Sequence, residues 1–192
     1  AGGGGKTLAL AALMENRGQI FATDSDGRRL MPIFPRLERA GARNVQVRAP
    51  RGPKDVLEGL EGRCDLVLVD APCTGTGAWR RNPDAKWRMR PGALDQRIKD
   101  QDEVLLRAAR YVKPGGALAY ITCSVLRAEN EERVAAFLEQ NDGWLPRDAA
   151  HMARMAALPQ LAAHASPFGP GIRLSPRSTG TDGFYVAVLV RG

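Results

Sequence analysis

The sequence predicts an α/β fold with a doubly wound, mostly parallel sheet, and three observations lead to this prediction. Short apolar runs typical of buried strands alternate with segments of helical periodicity along the chain. A run of glycines precedes the first helical segment, as in folds that bind nucleotide-like ligands. Two apolar runs near the end leave no room for a helix between them, which predicts an antiparallel hairpin at one edge of the sheet.

The hydrophobic period places most elements along the chain. Prolines at 32 and 35 must kink or shorten the second helix, and the Pro-Gly-Gly at 114–116 is expected to end the third. The region 144–170 contains four prolines and is too weakly patterned to assign. The expected strands are 19–23, 45–47, 65–69, 117–122, 172–174 and 184–190, and the expected helices are 8–14, 28–40, 94–112 and 129–140.

Length and composition limit the classes of protein to consider. The 192 residues, 44% of them hydrophobic and 26% charged, suit a single α/β domain over 1–192. No apolar run approaches the roughly 20 residues of a membrane span. Three widely spaced cysteines form neither a disulfide framework nor a metal pair, so we expect a cytoplasmic protein without metal. The net charge of +7 suits a polyanionic partner if the charge clusters near a site.

The glycine run predicts a cofactor loop. Ala1-Gly2-Gly3-Gly4-Gly5-Lys6-Thr7 leads into a helix, where backbone amides without neighbouring Cβ atoms can approach a ligand closely. Asp24 ends the next expected strand, about 20 residues further on, where an acid commonly receives ribose hydroxyls. The alternative for Asp24 is a helix N-cap, shared with Ser25 and Asp26.

A phosphate-binding P-loop is the main alternative for this region. Gly5-Lys6-Thr7 matches the end of such a loop, and the apolar run before Asp70 resembles the strand whose acid holds magnesium. The leading glycine of a P-loop would fall before Ala1, however, and an NTPase gives no reason for the cysteines. The P-loop NTPase therefore ranks second.

The strand that should precede a cofactor loop is not in the sequence. A loop of this kind follows a central strand, but nothing comes before Ala1. We therefore expect the natural protein to continue upstream with an apolar strand. We also expect residues 1–192 alone not to form a stable, cofactor-binding monomer.

Two cysteines follow neighbouring strands. Cys73 comes shortly after the strand at 65–69, and Cys123 directly follows the strand at 117–122. Successive parallel strands usually lie side by side, so both thiols should open onto the ligand-binding edge of the sheet. Cys64 precedes its strand and is expected to be an ordinary small buried residue.

Six short motifs along the chain together resemble one family of enzymes. They are Ala1-Gly2-Gly3-Gly4-Gly5-Lys6, Asp70-Ala71-Pro72-Cys73-Thr74-Gly75-Thr76-Gly77, Arg81-Asn82-Pro83-Asp84-Ala85-Lys86-Trp87, Thr122-Cys123-Ser124, Glu129-Asn130-Glu131 and Asp182-Gly183-Phe184-Tyr185. With these motifs the chain is similar throughout to the RsmB/Sun family of bacterial rRNA cytosine-C5 methyltransferases, which is related to the nucleolar RNA methyltransferases of eukaryotes. The paired Pro-Cys and Thr-Cys motifs are specific to that family.

The resemblance implies a class I methyltransferase fold and a role for each motif. Cys123 would add to C6 of cytosine, and Cys73 would assist breakdown of the adduct. Asp70 would lie beside both the base and the methionine part of the cofactor. S-adenosylmethionine would be held by Ala1, Gly2, Gly3, Gly4, Gly5 and Lys6, with Asp24 on the ribose. The implied substrate is RNA, with rRNA favoured, and an RNA-binding remnant without activity is the non-enzymatic alternative.

The sequence departs from the family in places. Gly3 stands where family members often have proline. Members usually carry an acid after the third strand, near the adenine, but here the stretch 48–52 has none and Asp55 is the nearest. Adenine contacts are therefore not assigned. The N-terminal RNA-binding domain common in the family is not among these residues.

A basic segment (residues 79–90) lies between the two cysteines. Its cations can hold phosphates and its indoles can stack on an unpaired base. The alternative is a solvated loop with its tryptophans packed on the core, and Trp87 is expected to be structural. His151 and His164 are not spaced as a metal pair, and the oligomeric state is not predicted. The segment holds Trp79, Trp87 and the predicted RNA contacts Arg80, Arg81, Lys86 and Arg88, with Arg90 beyond them.

Overall fold

The computed structural model describes residues 1–50 and 56–192. The chain forms two compact units, Ala1–Leu60 and Glu61–Gly192. The acid nearest to the expected adenine position, Asp55, lies outside the described residues together with Arg51 and Gly52. In the described part of the chain, no helix is long and apolar enough to cross a membrane.

The first unit contains a parallel pair of strands and three helices. Strands β1 and β2 pair in register from Ile20 and Val45. The expected helix 28–40 is broken, as predicted: the first helix ends at Leu30 with Met31 as its C-cap, and Pro32 is the N-cap of the next. A small core forms around Ile33 and Leu37. The elements are α1 (Gly5–Leu13), β1 (Ile20–Ala22), α2 (Gly27–Leu30), α3 (Ile33–Arg39) and β2 (Val45–Val47).

The second unit is built on a five-stranded sheet in the order β3-β4-β7-β5, with β6 also paired to β7. Strands β3 and β4 are parallel, whereas β7 runs antiparallel to β4, β5 and β6. The α/β class is as expected, and the antiparallel pairing of the two closing strands is confirmed. The expectation that no helix fits between them was wrong, because a short helix spans Pro176–Thr179. The sheet is mixed, however, and β7 lies inside it rather than at its edge. The strands are β3 (Cys64–Asp70), β4 (Val112–Thr122), β5 (Trp144–Pro146), β6 (Ile172–Leu174) and β7 (Phe184–Arg191).

The helices of this unit bury the apolar side chains of its sheet. Helix α4 contacts β3, β4 and α5. The region that resisted sequence assignment holds β5, α6 and a 3₁₀ turn over Pro159–His164. The remaining helices are α4 (Ala93–Ala109), α5 (Glu131–Gln140), α6 (Ala149–Met155) and α7 (Pro176–Thr179), and the core includes Leu105, Val112, Leu118, Tyr120, Val134, Phe137, Tyr185 and Leu189.

Two expectations for β3 and β4 were wrong in detail. The Pro-Gly-Gly at 114–116 does not end a helix but lies inside β4, where the register shifts between the pairs Cys64–Val112 and Leu66–Ala117. Gly115 adopts a φ of 73°, so this irregularity suits a residue without a Cβ. Strand β3 begins at Cys64 and is only partly buried, with Leu66 47% exposed. Burial raises the pKa of the Cys64 thiol, which suits the inert role expected for it.

Candidate active site

The parallel pairing of β3 and β4 brings the two predicted cysteines together. Asp70 pairs with Ile121 at the carboxyl ends of the strands. Each chain then turns, and the Sγ atoms of Cys73 and Cys123 lie 3.3 Å apart. Asp70 is exposed at the end of β3. The structure therefore confirms that the thiols meet at one edge of the sheet.

The Cys73 thiol is held in its protonated form by its surroundings. The hydrogen bond with Cys123 and, next, burial raise the pKa of the Cys73 thiol well above its usual value. Two sulfurs this close do not both ionise readily, because the second negative charge would face the first. Either sulfur can be the donor in their contact, and the raised pKa favours the protonated form of Cys73.

The Cys73 turn (residues 71–74) is held by buried side chains from other elements. The amide and hydroxyl of Thr74 both donate to the Glu129 carboxylate, the amide at 2.7 Å. Gln101 Nε2 donates to the Pro72 carbonyl at 2.7 Å and to Glu129 at 3.1 Å. Gln101 and Glu129 are both completely buried. The sequence analysis assigned no role to either residue.

The Cys123 turn (residues 122–125) has its own buried network. Asn130 accepts a hydrogen bond from the Thr122 hydroxyl at 2.5 Å and donates to the Ser124 carbonyl at 2.9 Å. The Thr76 hydroxyl accepts from the Val125 amide at 3.0 Å. Thr122, Ser124 and Asn130 are at most 1% exposed. The residues on both sides of Cys123 are thus fixed by hydrogen bonds.

Two glycines join the cysteine turns to the start of β7. The Gly77 amide donates to the Cys123 carbonyl at 2.9 Å, and the Gly183 amide donates to the Gly77 carbonyl at 2.8 Å. A Cβ on Gly77 would lie 2.2 Å from the Gly183 oxygen. The backbones approach this closely only because both residues lack side chains. This contact gives a physical reason for two glycines of the family-like motifs.

Arg80 and Arg81 of the basic segment are engaged within the protein. Both form ion pairs with Asp182, which is 8% exposed; the Arg80 pair measures 3.4 Å. The two arginine side chains remain more than half exposed. These residues therefore tie the basic segment to the turn before β7, a contact that sequence analysis did not foresee. Their RNA contact stays a prediction.

The remainder of the basic segment is open to solvent. Trp87 is 80% exposed, so the expectation that it is structural was wrong. The Lys86 ammonium lies 4.8 Å from the centre of the Trp87 ring, and Arg88 pairs with Asp84 at 2.6 Å. Trp79 is partly buried and its indole N–H finds no acceptor within the described residues. The two tryptophans of the basic segment thus differ, because Trp79 is partly buried and Trp87 is exposed to solvent.

The glycine loop in the first unit has the backbone conformations that only glycine adopts easily. Gly2 and Gly4 have φ values of 52° and 87°. A Cβ on Gly4 would lie 2.5 Å from Ile33 Cγ1, so the loop packs directly on α3. Among the described residues, no side chain caps α1, which begins at Gly5. Its first amides are therefore oriented as in a loop that holds a ligand.

Asp24 follows β1 and contacts this loop. Its Oδ2 accepts a hydrogen bond from the Gly2 amide at 2.9 Å, and its Oδ1 accepts from the Asp26 amide at 3.2 Å. Burial opposes ionisation, but hydrogen bonds from the amides of Asp26 and Gly2, together with the charge and hydrogen bond of the Ala1 amine, lower the pKa of the Asp24 carboxyl. The N-cap of α2 is Asp26, so the alternative role of Asp24 as that cap was wrong. Lys6 lies half-buried in the first turn of α1.

The fold is that of the α/β methyltransferases, and comparison with known proteins identifies the family. Residues 1–190 match the family described as 16S rRNA methyltransferase RsmB/F. The chain therefore belongs to the RsmB/F methyltransferase family. This membership favours the methyltransferase interpretation of the glycine loop over the P-loop alternative.

Curated relatives agree with this family. The ribosomal RNA small subunit methyltransferase B of Enterobacter sp. (strain 638) is 32% identical over 188 residues, which cover 98% of this chain and 40% of the relative. That of Salmonella arizonae is 35% identical over 192 residues and is also 40% covered. The chain thus spans about 40% of the length of these relatives.

Solved structures share the fold. A crystal structure of PH0851 superposes with a TM-score of 0.83 at 34% identity, covering 98% of this chain and 40% of that one. The structure of NSun6 from Pyrococcus horikoshii with SFG has a TM-score of 0.76 at 26% identity, covering 100% and 46%. The predicted fold class is thereby confirmed.

Proposed function

We propose that this chain carries the catalytic part of an S-adenosylmethionine-dependent enzyme that methylates C5 of cytosine in RNA, with rRNA as its substrate. The observation that carries the proposal is the pair of thiols 3.3 Å apart at the carboxyl ends of β3 and β4. Membership of a family described as 16S rRNA methyltransferases supports the substrate class.

Cys123 is the nucleophile of the proposed reaction. Its sulfur adds to C6 of cytosine, and the electrons released into the ring make C5 nucleophilic, as in an enamine. When bound, S-adenosylmethionine would supply the methyl group of its sulfonium to C5 and would leave as S-adenosylhomocysteine. After the C5 proton has passed to a base, the C5–C6 double bond forms again and the bond from C6 to the Cys123 sulfur breaks.

Cys73 serves this last step. Its raised pKa keeps the thiol protonated beside the Cys123 sulfur. As the bond to C6 breaks, the Cys73 S–H is in place to donate to the departing sulfur and stabilise its negative charge. Removing Cys73 should therefore slow release of the product more than formation of the adduct.

The first unit supplies groups that fit the cofactor. The cofactor could approach the loop backbone closely, because the loop lacks side chains where φ is positive. The loop residues assigned to the cofactor are Ala1, Gly2, Gly3, Gly4 and Gly5. Lys6 lies in the first helical turn. Asp24 keeps an ionised carboxylate at the end of β1, suited to accept hydrogen bonds from ribose hydroxyls. Asp70 is assigned to the methionine part of the cofactor and to the cytosine edge.

Substitution of each cysteine in the full-length natural protein tests the mechanism. Cys73→Ala should accumulate a covalent RNA adduct that survives denaturing electrophoresis, and Cys123→Ala should form none. Cys64→Ser is the matched control, because this thiol lies at the opposite end of β3, and it should behave like the wild type. An adduct that persists in Cys123→Ala and vanishes in Cys73→Ala would assign the nucleophile to Cys73 instead.

Calorimetry tests the cofactor. S-adenosylmethionine should bind the full-length protein, and Asp24→Asn should weaken binding about tenfold, as expected for loss of a charge-assisted hydrogen bond. An inactive RNA-binding remnant would bind RNA but not the cofactor. Magnesium-dependent ATP hydrolysis that is lost in Lys6→Ala would overturn the assignment in favour of the P-loop alternative.

A further inference from the structure

Two consecutive residues, Glu129 and Asn130, lie behind the two cysteine turns. They follow the Cys123 turn in sequence, at the end of the 3₁₀ turn Arg127–Glu129 and the start of α5. Both are 0% exposed. Because neither side chain reaches solvent, neither contributes to solubility or surface charge. Burial of polar groups costs free energy unless they are hydrogen bonded, so their hydrogen bonds should explain why they lie here.

Glu129 holds the Cys73 turn through three donors. One carboxylate oxygen accepts from the Thr74 amide and from Gln101 Nε2, and the other accepts from the Thr74 hydroxyl. Gln101 in turn donates to the Pro72 carbonyl. The residues on both sides of Cys73 are therefore held by the Glu129 carboxylate, Thr74 directly and Pro72 through the side chain of Gln101. A carboxylate is the side chain that can accept all three hydrogen bonds at once.

Asn130 holds the Cys123 turn in a corresponding way. Its Oδ1 accepts from the Thr122 hydroxyl and its Nδ2 donates to the Ser124 carbonyl, so that it contacts the residue on each side of Cys123. The Tyr120 hydroxyl donates to the Glu129 carbonyl at 2.7 Å, which fixes the backbone of the pair against β4. Because Glu129 and Asn130 are consecutive, a single peptide bond joins the residue that holds the Cys73 turn to the residue that holds the Cys123 turn.

We propose that Glu129 and Asn130 are positioning residues that set the distance between the thiols, Glu129 by placing Cys73 and Asn130 by placing Cys123. Given the proposed function, on which this inference rests, the two residues then act on different steps. Loss of Glu129 displaces the thiol that assists release, whereas loss of Asn130 displaces the nucleophile.

The first measurement needs neither RNA nor cofactor. Diamide oxidises two neighbouring thiols to a disulfide and takes up their two electrons and two protons, so the rate reports how closely the sulfurs are held. In full-length protein with Cys64→Ser, formation of the Cys73–Cys123 disulfide is followed by mass spectrometry of non-reduced peptides. Glu129→Ala and Asn130→Ala should each slow it about 10- to 100-fold, the effect expected of a displacement near 1 Å.

Glu129→Gln keeps the test valid if the alanine variant does not fold. Its amide oxygen can still accept from the Thr74 amide and Gln101, while the Thr74 hydroxyl turns to accept from the new NH₂ group. It should therefore slow disulfide formation less than Glu129→Ala. Glu131→Gln is the matched control, since Glu131 is only 2% exposed and its hydrogen bonds, among the described residues, go to Ser166 and to Arg173. Arg173 in turn donates to the Val125 carbonyl, two positions beyond Cys123, and an amide at position 131 can still accept from it. It should leave the rate close to that of the parent.

The second measurement separates the two roles. With RNA and S-adenosylmethionine, Glu129→Gln should accumulate the covalent adduct, as Cys73→Ala does, and Asn130→Ala should form adduct slowly without accumulating it. Folded Glu129 variants with the disulfide rate and adduct turnover of Glu131→Gln would overturn the inference. If Cys73→Ala accumulates no RNA adduct but the disulfide rates fall as expected, the proposed function fails while the positioning of the thiols is supported.

Discussion

The basic segment lies between the two cysteine turns in sequence but is held in a different way. Both residues flanking Cys123 are buried and hydrogen bonded, and Glu129 and Gln101 fix those flanking Cys73. In the basic segment, by contrast, Trp87 is 80% exposed and its neighbours are surface ions. Bond-making groups must be held within fractions of an ångström, whereas phosphates can be held by adaptable side chains. Buried polar networks are therefore expected where the chemistry takes place, and the exposed cations stay the predicted surface for RNA.

The largest loss of stability should come from adding a side chain at Gly77, which lies between the Cys73 turn and the basic segment and contacts Gly183. In Gly77→Ala, the new Cβ would lie 2.2 Å from the Gly183 oxygen, so the backbone must move. We expect a loss of about 3 kcal/mol or more in unfolding free energy, at the upper end for overpacking, and slow disulfide formation between the cysteines. Thermal and urea denaturation measure the first effect and diamide oxidation the second.

Gly92→Ala is the control for this substitution. Gly92 has a φ of 76° but no atom within 4 Å of its would-be Cβ, so only backbone strain of about 1–2 kcal/mol is expected. Equal losses in the two variants would show that the close approach of Gly77 and Gly183 does not matter.

A smaller effect should follow from Asp182→Asn. Removing the buried charge breaks the ion pairs with Arg80 and Arg81, and we expect a loss of about 1–3 kcal/mol in unfolding free energy because the arginines stay largely solvated. The freed guanidinium groups should also strengthen RNA binding at low salt and steepen its dependence on salt concentration. A filter-binding titration across salt concentrations checks this. An unchanged salt dependence would mean that the two arginines serve the fold and do not contact RNA.

The smallest effect on stability should come from Trp87→Ala. An indole that is 80% exposed contributes little to the core, so the melting temperature should stay within experimental error. RNA affinity should fall by about 1 kcal/mol, roughly fivefold, if a base stacks on the ring. The matched control is Trp144→Ala, because Trp144 packs against Phe137 at a centroid distance of 5.4 Å. Trp144→Ala should lose stability but keep its RNA affinity. A loss of stability in Trp87→Ala with unchanged RNA affinity would contradict the assignment of Trp87 to RNA.

The sequence predicted the features that depend on local pattern and sheet geometry. Buried runs ending at Asp70 and Thr122 were recognisable as strands, and parallel neighbours place their carboxyl ends together, so the meeting of Cys73 and Cys123 could be inferred. The break at Pro32 was also predictable, because proline cannot continue a helix that precedes it. The roles of these residues and the strand expected upstream of Ala1 stay predictions.

Features that depend on distant partners could not be predicted. From the sequence, Glu129 is predicted only to be an acid at the start of a helix, and no neighbouring residue in the sequence indicates that it is buried against Thr74. Arg81 reads as a free cation because Asp182 comes a hundred positions later in the chain. Trp87 was expected to be structural because aromatic side chains are usually buried, whereas its charged neighbours were the signal for exposure.

Strand β7 has a consequence for how the protein is made. It lies between β4 and the strands β5 and β6, and the glycine that precedes it abuts Gly77. On the ribosome, β4 and Cys123 emerge well before Phe184–Arg191, so β4 must wait with one edge unpaired until the later strand is synthesised. Such non-local pairing folds slowly and is the step most exposed to aggregation. The support that Gly183 gives to the cysteine turns is therefore added late, after the strands that carry the two thiols have been translated.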